Sequence, residues 1–248
     1  MVTIKTAEEI ALMRKANQIV RDTLSLVEEK IKAGMTTAQV DRIVFDYITK
    51  CGAVPSFLGY EGYPASACVS IDDEVVHGIP DAARRIEEGQ IVSVDVGSIY
   101  KGYNGDAART FAIGEISAEK RRLIDVTKQS FFEGVKVLKA GVRLGDLGHA
   151  IQSYVESNGF SVVRALCGHG IGTDMHEDPE VLNFGKPGHG LRLKAGMTIA
   201  IEPMVNAGTY QVYMLDNGWT VVTADGRPSA HYENTVAITE DGVEILSL

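Results

Sequence analysis

The feature that most constrains this chain is a stretch that returns at a fixed distance. Residues 31–53, IKAGMTTAQVDRIVFDYITKCGA, read again as residues 138–160, LKAGVRLGDLGHAIQSYVESNGF, with Val40, Tyr47 and Gly52 answered by Leu147, Tyr154 and Gly159. The same offset of 107 carries Gly89-Gln-Ile-Val-Ser-Val-Asp95 onto Gly196-Met-Thr-Ile-Ala-Ile-Glu202. A helical segment and a strand far apart in sequence share one shift, which chance matches seldom do. The chain therefore reads as a single α+β domain over residues 1–248, built from two pseudo-twofold-related halves at about 8–95 and 115–202. Such a twofold sets equivalent residues across its axis, where a shared site can form, and Asp95 and Glu202 are one such pair.

Each half reads as a long amphipathic helix, a shorter helix and strands. Ile10, Met13, Ile19, Val20, Leu24, Val27 and Ile31 recur at helical spacing, and Thr36 is placed to cap a second helix that turns Val40, Ile43, Val44, Tyr47 and Ile48 inward. In the second half Ser117 is placed to cap a helix carrying Leu123, Ile124, Phe131, Val135 and Leu138. Strands are expected over 91–100 and 103–113 around the turn Lys101-Gly102, then over 197–202, 232–238 and 243–246.

Composition narrows the function classes. With 45% apolar and 23% charged residues the chain is an ordinary globular one, and its net charge of -9 would repel a phosphate backbone, so direct nucleic-acid binding is not expected. No apolar run approaches the roughly 20 residues of a membrane span, and the first residues lack the zones of a signal peptide, which predicts a cytoplasmic protein. Cys51, Cys68 and Cys167 are isolated, so neither a disulfide framework nor a CxxC knuckle is available. Cys167 precedes His169 by two residues, but a lone thiol there reads as a small buried hydrophobe before it reads as a nucleophile. Gly168-His-Gly-Ile-Gly172 lacks the spacing of a dinucleotide loop and opens no helix.

Carboxylates interrupt the apolar strands. Asp95 sits within Ile91-Val-Ser-Val-Asp-Val96, and Glu202 follows Thr198-Ile-Ala-Ile201 just before Pro203. A buried acid needs a base or a cation, and these two alone leave both readings open. Asp106 tips the balance: with Lys101-Gly102 as a two-residue turn, position 97 faces position 106, so Asp95 and Asp106 are diagonal neighbours on one face. Two acids aimed at one point repel unless a cation neutralises them. Glu233 is a fourth acid in a β-rich stretch, and His169 between glycines adds an imidazole that a ligand could approach closely.

The blocks GYEGYP at 59–64, CVSIDDEVVHGIP at 68–80, SVDVGSIYKGYNGDAART at 93–110, CGHGIG at 167–172, IEPMVNAG at 201–208 and the run from Asp216 to Thr239 together resemble type I methionine aminopeptidases of the pita-bread family, over essentially the whole chain. The resemblance implies a pita-bread fold with a curved antiparallel sheet between the two halves, and one catalytic domain. It implies two divalent ions, cobalt, manganese or iron, with Asp106 and Glu233 bridging them, Asp95 completing one coordination sphere and His169 with Glu202 the other; oxygen-rich ligation with one imidazole suits these metals. Four carboxylates balance two divalent ions. The implied reaction is metal-assisted hydrolysis of the amide bond after an N-terminal initiator methionine, in peptides and nascent chains, favoured by a small second residue. Glu202 is the implied proton shuttle, His176 the group on the oxyanion side, and His77 the group that holds the peptide beyond the cleaved bond. The methionine pocket falls on Phe57, Tyr60, Tyr63, Cys68 and Trp219.

A monomer in transient contact with the ribosome is the implied cellular form, without the cysteine-rich arm that some relatives carry. Leu166, Met175, Phe184 and Glu61 depart from the family's usual residues, which bears on pocket shape and not on the ligands. The nearest enzymatic rival, a proline dipeptidase or Xaa-Pro aminopeptidase, shares the ligands but usually carries an extra N-terminal domain. A non-catalytic peptide-binding module on the same fold would be expected to have lost ligands, and all five are present.

Overall fold

Three of the four helices in a computed structural model, which describes residues 2–248, begin at a capping Thr or Ser side chain. In α1 (Ala7–Lys30) the Thr6 hydroxyl accepts from Glu9 N and the Glu9 carboxylate accepts from Thr6 N, a reciprocal capping box. Thr36 and Gln39 do the same for α2 (Thr37–Lys50), and Ser117 caps α3 (Ala118–Lys136). Leu138 lies just past the end of α3 and is still buried. The fourth helix, α4, spans Leu144–Ser157.

The offset of 107 is written into the hydrogen bonds. The bounds of α2 and α4 differ by that number at both ends, as do the isolated bridges Thr36 to Arg85 and Arg143 to Arg192. Arg85 Nη1 donates to Gly34 O, and Arg192 Nη1 donates to Gly141 O. Both glycines take positive φ, +87° and +93°, a region in which a side chain is strained.

The strands, all antiparallel, hydrogen-bond as four sheets of four, three, three and five strands. In the first, Ile91–Tyr100 pairs with Tyr103–Ala112 through the turn Lys101-Gly102, whose two positive φ values match the right-handed twist of a hairpin. Gly97 faces Asp106 and Asp95 faces Ala108, the register that the turn predicts. The fifth strand of the five-stranded sheet, Glu177–Val181, lies beside Gly168–Gly170, followed by Thr198–Ile201, Asn234–Ile238 and Val243–Ile245.

The structure differs from the sequence expectation at two ends of this sheet. Thr198–Ile201 stops one residue before Glu202, and the chain resumes as Met204–Asn206 in another sheet. The expected strand over 232–238 begins instead at Asn234, beside Thr198–Ile201, and is preceded by an unexpected strand, Ser229–His231, beside Met204–Asn206. Both chains leave one sheet and join another at the same level, since Ile201 is in register with Asn234. Backbone bonds from Glu233 N to Ala108 O and from Tyr232 N to Pro203 O replace the ladder across the gap. Glu202 and Glu233 therefore occupy the crossing points.

Apolar side chains gather in two large cores. One lies under α1 and α2 around Val20, Val40, Val44 and Val94, the other under α3 and α4 around Leu123, Phe131, Leu147 and Ile199. A smaller cluster of Met13, Phe57, Tyr63, Cys68, Ile171 and Met175 forms a third. α1 lies directly on the hairpin: a Cβ at Gly105 would stand 2.6 Å from Asn17 N, and the Asn17 carboxamide oxygen accepts from Asp106 N at 3.2 Å. No helix among the described residues is long and apolar enough to cross a membrane.

Candidate metal centre and substrate pocket

A cavity of about 160 Å³ opens beside the small cluster, and all twelve site residues predicted from the sequence line it. At one side Asp95 and Asp106 arrive from the hairpin, His169 from the strand Gly168–Gly170, and Glu202 and Glu233 from the two crossing points. His169 lies between its two glycines in a short strand. The glycines are needed there, because a Cβ at Gly168 would stand 2.3 Å from Ala200 O and one at Gly170 would stand 2.1 Å from Asp178 O.

His169 Nε2 lies 3.6 Å from Glu202 Oε1 and 3.7 Å from Asp106 Oδ2, too far for hydrogen bonds. Its Nδ1 is 2.9 Å from Gly170 O and so carries the ring proton, while burial pushes its pKa down to about 3, which keeps the imidazole neutral. The Nε2 lone pair thus faces carboxyl oxygens of Asp106 and Glu202 without a hydrogen bond to either. Asp95 Oδ1, Asp106 Oδ1 and Glu233 Oε1 are buried without any hydrogen-bond partner.

Burial pushes all four carboxyls up, with the neighbouring acids adding to the effect at Asp106, Glu202 and Glu233. Asp95 rises to about 7, a hydrogen bond with Asp106 holding back part of the effect of burial. A cation among these groups would satisfy the orphaned oxygens and the lone pair together. Asp106, His169 and Glu233 present ligand atoms within 4.8 Å of one another, and so do Asp95, His231 and Glu233.

His231 was not singled out from the sequence. Its Nε2 is buried and unpartnered, 3.8 Å from Glu233 Oε2 and 3.9 Å from Glu202 Oε2. Its backbone is tied on both sides to the Thr110 hydroxyl, and burial lowers its pKa to about 3. The available signal was its spacing, two residues before Glu233.

The remaining residues form the rim and the wall. His176 Nδ1 is 2.8 Å from Tyr60 Oη, and its ring centroid is 4.3 Å from that of His169. Burial pushes His77 down to about 4, and its backbone takes a positive φ of 59°. Gly78 makes that turn fit, since a Cβ there would stand 2.3 Å from Val69 O. Trp219 packs edge-on against Tyr63 at 5.0 Å, and the buried Tyr63 Oη bonds to Gly78 O at 3.0 Å. Phe57, Tyr63 and Cys68 are buried, whereas Tyr60 and Trp219 are partly open. Among the departures from the family pattern, Met175 and Glu61 line the cavity, while Leu166 packs on a valine cluster and Phe184 lies under Arg164.

Comparison with known proteins agrees with the site. The sequence profile of metallopeptidase family M24 matches residues 11–240. A methionine aminopeptidase of Clostridium acetobutylicum is 58% identical over 100% of this chain and 99% of its own. Crystal structures of methionine aminopeptidases from Thermotoga maritima and Rickettsia prowazekii superpose with TM-scores of 0.98 at 46% and 40% identity, over 100% of this chain and 99% and 100% of theirs. With a pocket rich in buried carboxylates, a matching fold and full-length relatives, the chain belongs to metallopeptidase family M24 and, within it, to the methionine aminopeptidases.

Proposed function

We propose that the chain holds two divalent ions, cobalt, manganese or iron, on Asp95, Asp106, His169, Glu202 and Glu233, and with them removes initiator methionine from nascent proteins and peptides, preferably before a small second residue. The observation that carries this reading is the meeting of a neutral His169 lone pair with partnerless buried carboxylate oxygens. Four carboxylates and a neutral imidazole match the charge of two divalent cations. Bound there, such ions supply Lewis acidity toward the scissile carbonyl and a more acidic water at neutral pH.

The protein's own groups do the rest. Glu202, at the crossing point, takes the proton that the attacking water gives up and returns it to the leaving amine. With Tyr60 Oη donating to His176 Nδ1, His176 Nε2 carries its proton toward the cavity and donates to the oxygen on which charge develops. His77, kept neutral by burial, hydrogen-bonds the peptide beyond the cleaved bond. Phe57, Tyr60, Tyr63, Cys68 and Trp219 receive an unbranched thioether and exclude water from it. The same reading gives one catalytic domain made of both repeat halves, acting as a cytoplasmic monomer in transient contact with the ribosome.

Loaded with manganese, iron or cobalt, the protein is expected to release methionine from Met-Ala-Ser and to spare both its N-acetylated form and Ala-Pro-Phe. Chelation is expected to abolish release. Equal cleavage of Ala-Pro-Phe would overturn the specificity, and activity in demonstrably metal-free protein would overturn the metal centre.

A further inference from the structure

Ahead of α1 the chain forms a short strap across the second half. Lys5 N donates to Gly196 O at 2.8 Å, and the Lys5 side chain turns inward until only 6% of it is exposed. Its ammonium meets the Glu177 carboxylate, 7% exposed, at 2.5 Å and also the Thr3 hydroxyl. The Thr3 hydroxyl in turn donates to Glu177 Oε2 at 2.5 Å. Lys5 is the one cation paired with Glu177 among the described residues. The pair is closely fitted: a Cβ at Gly172 would stand 2.3 Å from Glu177 Oε1 and 2.5 Å from Lys5 Cε.

Glu177 directly follows His176 and opens the strand Glu177–Val181, in register with Gly170 beside His169. At the other end of the intervening loop, Asn104 N and Nδ2 donate to Gly172 O, and Nδ2 also to Thr173 O. The loop 172–176 is thus pinned at both ends, by Asn104 from the hairpin and by Lys5 from the strap. Burying two charges costs several kcal/mol in desolvation, so an apolar pair would serve stability at least as well. What the ion pair supplies in addition is a fixed place for the backbone that carries His176.

We propose that Lys5 is a positioning residue, which acts through Glu177 to hold the 172–176 loop so that His176 keeps its place beside His169 and Tyr60. This rests on the proposed role of His176. Removing the charge lets the loop shift, and a displacement of about 1 Å can cost on the order of 100-fold in rate. The test is a double-mutant cycle with Met-Ala-Ser on the manganese-loaded enzyme. Lys5→Met is expected to lower kcat by about 10- to 100-fold with KM and manganese affinity little changed, and Lys5→Arg to restore most of the rate. In a His176→Ala background, itself slow, Lys5→Met is expected to have little further effect.

Equal losses from Lys5→Met in both backgrounds would overturn the proposal, as would a fall in manganese affinity that accounts for the whole loss. A His176→Ala enzyme as fast as the unmutated one would overturn the His176 reading and the proposal with it, a result distinguishable because it appears before Lys5 is touched. If Lys5→Met does not fold, Thr3→Val replaces it in the cycle, with a smaller loss in kcat expected and the same outcomes deciding.

Discussion

Four carboxyls converge on Asp95, Asp106, Glu202 and Glu233 in surroundings that push each of them up, and this has a consequence for the metal-free protein. A carboxyl that titrates higher when folded holds extra protons in the native state, so its contribution is full below the ordinary carboxylate range and lost as pH rises through the raised value. The buried histidines act oppositely: His77, His169 and His231, lowered to about 4, 3 and 3, cost stability as pH falls from 6.5 toward those values. Above about pH 7.5 the histidines are neutral in both states and only the carboxyls matter. The melting temperature of metal-free protein is therefore expected to fall between about pH 7.5 and 8.5, by about 3–5 °C per pH unit for each proton's difference, while metal-loaded protein shows no such fall. Calorimetry across that range checks it. Asp95 and Asp106 were legible in the sequence because strand registry has a period of two and the turn fixed the pairing. His231 was not, since a histidine in an apolar strand has the same pattern whether it is packed or aimed at a neighbouring acid.

Among the elements, contact between α1 and the hairpin sets where Asp106 stands. Gly105 lets the helix backbone come close, and the next residue is held by Asn17 and Thr235 through its N–H. Gly105→Ala has no flexible side chain to displace, only helix backbone, so α1 must move. The expected cost is about 1–3 kcal/mol, or roughly 2–12 °C in melting temperature. Because Asp106 moves with the strand, kcat/KM is expected to fall as well, whereas a purely structural glycine would lose stability alone. Helices were legible from their periodicity and, for two of them, from the caps Thr36 and Ser117, whereas Thr6 is seen as a cap only in the structure. The sheet crossings at 202–203 and 232–233 were not, because alternation continues through them and only Pro203 marks a break. Which sheet a strand joins is decided by partners far along the chain.

Across the whole molecule, Asp95 comes from the first repeat segment, His169 and Glu202 from the second, and Asp106 and Glu233 from the strands and crossing that follow each. A cation bound between them ties the halves and favours only the state in which both are folded. Unfolding is expected to be one transition whose midpoint rises with manganese, by about 2.7 kcal/mol, or roughly 5–11 °C, at a hundredfold excess over Kd. Two transitions that respond separately to the metal would count against this coupling. The offset of 107 made the paired scaffold visible in advance, but not the small middle cluster, which draws its members from positions as far apart as Met13 and Leu246. That cluster has its own effect. Phe57, Tyr63, Cys68 and Met175, all buried, close the inner end of the cavity, while the rim at His77 and Trp219 is partly open. A cavity of about 160 Å³ has room for a side chain, not for a threaded segment. The wall behaves as a ruler that starts at the terminus and is one residue long, so a folded or capped end goes unread, whatever sequence follows.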